Sequence, residues 1–161
     1  MRRDQNECSA VSPQSDREPA GNGSIEDPQR MEPRPCHFCD IAPERVVLSD
    51  PLALVIRDAF PISPGHTLIV PRRHMGSFFE ATEQEQQSLL ALLREAKTGL
   101  ESEFAPNAWN IGVNDGPAAG QTVPHLHIHL IPRYTNDVPD PRGGVRWVIP
   151  SKANYWGVNS G

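Results

Sequence analysis

A short segment near the end of the chain alternates imidazole and aliphatic side chains between Pro124 and Pro132. A period of two is typical of a strand, so we predict a strand here with the imidazoles on one face and the aliphatic side chains in the core. Residues two apart on a strand stand about 6.5 Å apart, which makes the imidazoles a row. The row consists of His125, His127 and His129. The opposite face consists of Leu126, Ile128 and Leu130.

The row of imidazoles admits three interpretations. The imidazoles could be structural, each bonded to a backbone carbonyl in a polar cleft. Two of them, spaced as His-x-His, could bind one zinc ion that carries an attacking water. In the third interpretation, one neutral imidazole attacks an electrophile while a neighbouring imidazole donates a proton to the leaving group.

The flanking residues favour the third interpretation, because they are typical of phosphate binding. Asn114 and the glycine-rich loop after it precede the row and offer side-chain and backbone donors to phosphate oxygens. Thr122 adds a hydroxyl on the same approach, and His66, which follows a Pro-Gly turn, is a fourth imidazole that we expect to be a partner of the row. We therefore predict a catalytic site.

Composition and charge restrict the class of protein. The chain has 161 residues, of which 37% are hydrophobic and 17 are proline, so we expect one domain with unpacked tails. A net charge of −5 argues against nucleic-acid and anionic-membrane partners. No apolar run approaches the roughly 20 residues of a membrane span. Arg2 and Arg3 are followed by polar residues rather than by a signal-peptide core, which predicts a cytoplasmic protein.

Hydrophobic patterning divides the chain into three parts. Residues 1–35 have a disordered composition, residues 36–134 carry the strands and one long helix, and residues 135–161 are predicted to form an extended arm over the core or over a second subunit. Strands joined by tight turns, with one helix between them, predict the α+β class: an antiparallel sheet of about five strands with the helix on one face. The other predicted strands are Val46–Leu48, Leu52–Ile56, Thr67–Val70 and Ala108–Val113, and the helix starts from a capping box at Thr82 and Glu85 and has Leu89, Leu90, Leu92, Leu93, Ala96 and Leu100 as core residues.

Two of the three cysteines are close in sequence. Cys36 and Cys39 form a Cys-x-x-Cys pair, whereas Cys8 has no visible partner. In a chain without a secretory signal, this spacing favours metal or redox chemistry over a structural disulfide.

A resemblance to a known family rests on three stretches of the sequence. Asn114-Asp-Gly-Pro-Ala-Ala-Gly-Gln-Thr-Val-Pro-His-Leu-His-Ile-His-Leu-Ile-Pro-Arg133 resembles the signature of the histidine triad (HIT) nucleotide hydrolases and transferases, in the form of the fragile histidine triad branch. The stretch Arg57–Pro71, with Pro-Gly-His at its centre, is similar to the family's first sequence block, and Cys36-His-Phe-Cys39 is similar to the start of many bacterial members. The resemblance covers roughly Cys36 to Tyr134.

The resemblance implies a nucleotide hydrolase with a covalent intermediate and no organic cofactor. His127 would be the nucleophile with its second ring N–H held by the carbonyl of His66. His129 would donate to the departing oxygen, and His125 would support the row. A third histidine, where the family's transferases and phosphorolytic enzymes have glutamine, favours hydrolysis. The covalent route replaces one difficult attack by water with two easier displacements.

The resemblance also implies an adenine nucleotide as substrate, with dinucleoside polyphosphates first among the candidates. Nucleoside phosphoramidates, adenylylated amines and a nucleotide sensor with incidental turnover remain alternatives. The implied nucleotide contacts run from Asp58 to the ribose hydroxyls and from Asn114, Gln121 and Thr122 to the phosphate group.

A two-fold homodimer with one continuous sheet, and a structural zinc ion, are further implications of the resemblance. A domain of about one hundred residues buries a modest fraction of its surface, so we expect strand Ala108–Val113 and the leucine helix to cover a twin subunit. The implied zinc ligands are Cys36, Cys39, His74 and His125, and two reduced cysteines without metal are the alternative.

Overall fold

The computed structural model describes residues 36–156. The prediction of disorder over residues 1–35 lies outside the described residues. Among the residues that are described, no helix has both the length and the apolar character needed to cross a membrane. The strands are β1 (Val46–Ser49), β2 (Ala53–Arg57), β3 (Thr67–Pro71), β4 (Ala108–Gly112) and β5 (Ile128–Arg133), and the helices are α1 (Glu83–Phe104) and α2 (Pro150–Ala153).

The five strands form one antiparallel sheet in the order β1-β2-β3-β5-β4. The long helix α1 packs on one face, where buried residues of the strands and of the helix share one core. The α+β prediction, with five strands and one long helix, is therefore confirmed. Because β5 lies between β3 and the edge strand β4, the histidine segment sits inside the sheet, with His129 beside the start of β3.

Local sequence explains where α1 begins and which side of it is buried. The Thr82 hydroxyl accepts a hydrogen bond from the Glu85 N–H, and the Glu85 carboxylate accepts one from the Thr82 N–H, so the predicted capping box is present. Leu90 was predicted to be a core residue, but 51% of it is exposed. It lies about 100° around the helix from Leu89 and falls off the buried stripe. The buried hydrophobic residues of the helix are Leu89, Leu92, Ala96 and Leu100, with Leu93 partly buried.

The histidine segment is a strand only in its second half. β5 begins at Ile128 rather than at Pro124, because the Leu126 N–H donates to the Met75 carbonyl (2.7 Å) instead of to a neighbouring strand. The predicted alternation of faces still holds across the break, since the aliphatic side chains are buried in the core on the helix side. Those side chains are Leu126, Ile128 and Leu130.

A second, smaller apolar cluster covers part of the opposite face of the sheet. Its buried members come from β2 and β3, and the turn that holds the cysteine pair contributes Phe38. Ile41 and Val46 also pack against it. The cysteine turn is thereby placed on the same face of the sheet as His129. The buried members are Leu54, Ile56, Leu68 and Val70.

The C-terminal segment is folded back on itself rather than extended. Residues Gly144–Val148 form a 3-10 helix that leads into α2. Arg142 lies over the Trp156 ring (4.5 Å to the centroid), and Trp147 donates from Nε1 to the Arg142 carbonyl (2.8 Å). The expectation of an extended arm is therefore wrong over the described part. We refer to residues 140–156 as the C-terminal hook.

Gly65, immediately before His66, is expected to tolerate no side chain. Its φ of +81° is unfavourable for other residues, and an added Cβ would lie 3.0 Å from both Leu100 and Phe104. Gly65→Ala should lower the free energy of unfolding by about 1–3 kcal/mol in urea titrations. Gly99→Ala is the matched control in α1, where a Cβ meets no described atom within 4 Å and should stabilise by up to about 1 kcal/mol. Equal effects of the two substitutions would contradict this account.

Candidate active site

A cleft of about 720 Å³ opens on the face of the sheet away from α1. Ile128 and Leu130 point into the helix-side core, so His129 and Ile131 face the opposite way and form the cleft floor. One wall comes from the loop before β3, one from β4 and the two residues that follow it, and one from the C-terminal hook. The wall residues include Ile62, Ser63, His66, Asn110, Asn114, Val145, Trp147 and Val148.

His127 is held with one nitrogen bonded to the backbone. Its Nδ1 lies 2.8 Å from the His125 carbonyl oxygen, and because a carbonyl only accepts, the ring carries its proton on Nδ1. The neutral ring then has its lone pair on Nε2, the form a nucleophile requires. The predicted partner, the carbonyl of His66, is wrong: that oxygen accepts the Asp58 N–H instead (3.0 Å). Because β5 begins only at Ile128, the segment before it lies outside the sheet, and His127 bonds to a carbonyl two residues earlier in that segment.

His129 and His66 form a pair beside His127. Nε2 of His66 lies 3.0 Å from Nδ1 of His129, and Asp58 places a carboxylate oxygen 3.4 Å from Nδ1 of His66. Burial lowers the pKa of His66, and burial, reinforced by His127 and His66, lowers the pKa of His129 to about 4. His129 is therefore neutral near pH 7 and carries a single ring proton, which it can donate in a hydrogen bond. The expectation that His66 is a partner of the row agrees with this geometry.

The loop between β4 and the histidine segment is fixed by its own polar side chains. Gln121 accepts from the Gly116 N–H (2.9 Å) and donates to the Gly76 carbonyl (2.7 Å). Asp115, for which no role was predicted, accepts from both the hydroxyl of Ser77 and the N–H of Phe78, each at 2.9 Å. Both side chains hold the loop against the segment before α1.

The four predicted nucleotide contacts occupy different positions around the site. Asn114 lines the cleft, two residues beyond the Gly112 that pairs with His129. Asp58 lies behind His66, and Gln121 is bonded within the loop. Thr122 is exposed and is not part of the cleft lining. Their binding of nucleotide stays a prediction.

The two cysteines meet two histidines at one point. Cys36 Sγ lies 3.3 Å from His125 Nδ1, and Cys39 Sγ lies 3.2 Å from His74 Nδ1 and 3.5 Å from His125 Nδ1. A tetrahedral zinc ion with ordinary bond lengths separates sulfur and nitrogen ligands by about 3.5 Å, so this donor set fits the ion. The remaining nitrogen of His125 lies 2.9 Å from the Pro71 carbonyl, the kind of contact that orients a metal-binding imidazole.

The geometry is unfavourable to the interpretation of the row as one zinc site. The three imidazoles turn their Nδ1 atoms to three different partners, and the groups of described residues that lie close enough to share an ion do not include the three histidines together. Those of His125, His127 and His129 face the cysteines, the His125 carbonyl and His66, respectively. Asp58, His66 and His129 also lie close enough to share an ion, but their contacts are explained by hydrogen bonding among themselves.

Two further features of the site have no clear signal in the sequence. Phe38 places its ring edge against the ring of His127, with 5.2 Å between centroids and 69° between planes. Arg133 donates to the Asn110 side chain (2.5 Å) and pairs with Asp137, whose pKa it lowers to about 2. The arginine thereby ties the end of β5 to β4 and to the start of the C-terminal segment. Its position four residues before an aspartate was the only local indication.

The family model for the HIT domain matches residues 41–136. The chain belongs to the HIT family. Three HIT-related proteins illustrate the similarity.

Two of them are named enzymes. The bis(5'-nucleosyl)-tetraphosphatase [asymmetrical] of Schizosaccharomyces pombe is 43% identical over 77 residues, which is 48% of this chain and 42% of that one. The bis(5'-adenosyl)-triphosphatase of Saccharomyces cerevisiae strain YJM789 is 33% identical over 129 residues, 78% of this chain and 59% of that one. This HIT protein thus spans about half the length of these two enzymes.

The third is a solved structure, described as a Zn-bound histidine triad family protein from Mycobacterium smegmatis. It matches with a TM-score of 0.59 and 29% identity, over 74% of this chain and 94% of that one.

Proposed function

We propose that this HIT-family protein is a nucleotide hydrolase that cleaves at the nucleoside α-phosphate through a nucleotidyl intermediate on His127. The observation that carries the proposal is the state of the His127 ring. Its proton is fixed on Nδ1 by a carbonyl, its Nε2 lone pair is available, and a neutral His129 ring lies 4.9 Å away. A neutral imidazole held in one tautomer beside a hydrogen-bond donor is suited to nucleophilic catalysis.

The reaction takes place in two displacements at phosphorus. The Nε2 lone pair of His127 forms an N–P bond as the P–O bond to the leaving group breaks, and the electron pair departs on that oxygen, a phosphate oxygen that leaves as an anion and accepts a hydrogen bond from the neutral His129 ring. Water then attacks the same phosphorus, the N–P bond breaks, and its electron pair returns to Nε2. One proton of the water stays on the product phosphate and the other passes to solvent, so both imidazoles return to their neutral starting state.

Dinucleoside polyphosphates are the substrate class that we assign to this site. The names of the two related enzymes support the assignment, and so does the size of the cleft, which continues from His129 to Trp147. One nucleotide held by its α-phosphate at His127 would leave the hook end of the cleft for the departing part of the substrate. Residues Gly144–Val148 therefore lie where the leaving group would be selected.

We also propose a structural zinc ion at the four-residue cysteine and histidine cluster, and a two-fold dimer. The zinc proposal is supported by the fit of the donor set and by the zinc in the Mycobacterium smegmatis relative. The dimer proposal is supported by β4, which is an edge strand with Ile111 48% exposed, and by the exposed Leu90 on α1. Pairing of β4 with its twin would cover that edge.

A substrate panel in ¹⁸O-labelled water tests the function. Diadenosine triphosphate, diadenosine tetraphosphate and adenosine 5′-phosphoramidate are each incubated with the zinc-replete protein, and the products are analysed by mass spectrometry. We expect AMP that carries one ¹⁸O atom, with the diadenosine compounds preferred. Unlabelled AMP incubated with the protein controls for exchange. Label in the other product would place the attack at a different phosphorus, and tight binding without product from any compound would favour a sensor.

A further inference from the structure

Phe38 has a position that the proposed reaction does not yet use. Two residues lie between the cysteines: His37 is exposed, whereas Phe38 is half-buried. The Phe38 ring packs against the small apolar cluster of β2 and β3. From there the ring meets His127 edge-on at 5.2 Å and His125 at 6.0 Å. Edge-to-face ring pairs have a preferred geometry, so Phe38 constrains the orientation of the imidazole that it touches.

The His127 ring needs more than one contact to be fixed in space. The hydrogen bond from Nδ1 to the His125 carbonyl anchors one corner of the ring but permits the plane to tilt about that bond. The rings of Phe38 and His129, at 5.2 Å and 4.9 Å, restrict the tilt. The direction of the Nε2 lone pair, which decides whether it points at phosphorus, therefore depends on Phe38.

The position of Phe38 depends in turn on the cysteine and histidine cluster. Residues 36–42 belong to no strand or helix, and a single backbone bond, from the Cys39 N–H to the Cys36 carbonyl (3.0 Å), closes the turn. The sulfur contacts to His74 and His125 join this turn to the sheet. His125 links the cluster directly to His127, because its ring belongs to the cluster while its carbonyl accepts the hydrogen bond from His127 Nδ1.

We propose that Phe38 is a positioning residue for His127, and that an ion held by Cys36, Cys39, His74 and His125 influences the chemical step by keeping Phe38 and the His125 carbonyl in place. The proposal rests on the proposed function, because it takes His127 as the nucleophile. It assigns a catalytic consequence to a cluster that otherwise has a structural role only.

The first test compares two Phe→Leu substitutions in the zinc-replete protein. Phe38→Leu keeps an apolar side chain in the cluster but removes the ring edge, whereas Phe79→Leu makes the same change at a ring that is 86% exposed. Phe38→Leu should retain its zinc and its nucleotide affinity and should form the nucleotidyl adduct about tenfold more slowly in single turnover. Phe79→Leu should match the wild type. An unchanged adduct rate in Phe38→Leu would overturn the proposal, and weaker binding at an unchanged rate would instead make Phe38 a nucleotide contact.

The second test reads the His127 ring without substrate. Long-range ¹H–¹⁵N spectra of the wild-type zinc protein should show one tautomer, with the proton on Nδ1, and those of Phe38→Leu should show an averaged or broadened ring. This readout remains valid if no substrate is turned over, so it separates failure of this proposal from failure of the proposed function. A sharp, unchanged His127 signal in Phe38→Leu would refute the positioning role.

The contribution of the ion is tested by a cycle of four protein forms: wild type and Phe38→Leu, each with zinc and after removal by a chelator. If the ion acts through Phe38, removing it should slow adduct formation less in Phe38→Leu than in the wild type. Equal losses in both backgrounds would mean that the ion does not act through Phe38. If the protein unfolds after zinc removal, the comparison of Phe38→Leu with the wild type in the presence of zinc still tests the role of Phe38.

Discussion

His127→Asn is expected to reduce turnover by about 10⁴-fold or more, the largest loss of activity for any single substitution in the site. The asparagine amide can still donate to the His125 carbonyl, so the segment should keep its shape, but it has no lone pair that can attack phosphorus. Nucleotide affinity should change little. The readouts are kcat, nucleotide affinity and acid-labile radiolabel trapped on the protein from an α-labelled nucleotide.

His37→Asn is the matched control for this substitution. His37 is exposed and lies in the same turn as the cysteines, without being one of the clustered ligands. It should retain full turnover and should trap label like the wild type. If His127→Asn keeps near wild-type hydrolysis of every substrate tried, the covalent mechanism is wrong.

Loss of the cysteine and histidine cluster is expected to have the largest effect on stability. Its sulfur–histidine contacts join residues 35 and 89 positions apart, so an ion there ties the turn at residues 36–42 to the segments that follow β3 and precede β5. The free energy of metal binding contributes directly to folding, and its loss should lower Tm by about 10 °C or more. Cys39→Ser should bind no zinc and should melt at this lower temperature in the presence of excess zinc.

Cys8→Ser provides the comparison for the loss of one thiol, since Cys8 lies outside the described residues and is not one of the four proposed ligands. Its zinc content and Tm should equal those of the wild type. Zinc content is measured by elemental analysis and Tm by calorimetry with and without a chelator. A purified protein that contains no zinc, and whose Tm is indifferent to both chelator and added zinc, would exclude the metal.

Features with a local cause could be predicted from the sequence. The cap of α1 depends on two side chains three residues apart, Thr82 and Glu85, and it was found as expected. The faces of the histidine segment follow from the alternation alone. The start of β5 could not be predicted in this way, because it is decided by a hydrogen bond from Leu126 to the Met75 carbonyl, a partner about fifty residues away.

In the candidate active site, too, some features could be predicted from the sequence and others depend on distant partners. The cysteine and histidine cluster was expected from a family resemblance, and the structure brings its four ligands together. The contact of Phe38 with His127 was not expected, because it depends on how the cysteine turn folds over the sheet. The role of Asp115 was likewise hidden, since its partners Ser77 and Phe78 lie before α1. Contacts of this kind carry no period or spacing that a single sequence reveals.

The C-terminal hook is held together by contacts among its own residues and touches the cleft along Gly144–Val148. A segment built in this way is a module: its surface can be exchanged while the strands that carry the histidines stay as they are. Under the proposed function, we therefore expect mutations in the hook to alter which molecules are accepted without changing the rate of cleavage at His127. Substrate preference and catalytic competence would then evolve separately, and a hook transplanted from a relative should carry its selectivity with it.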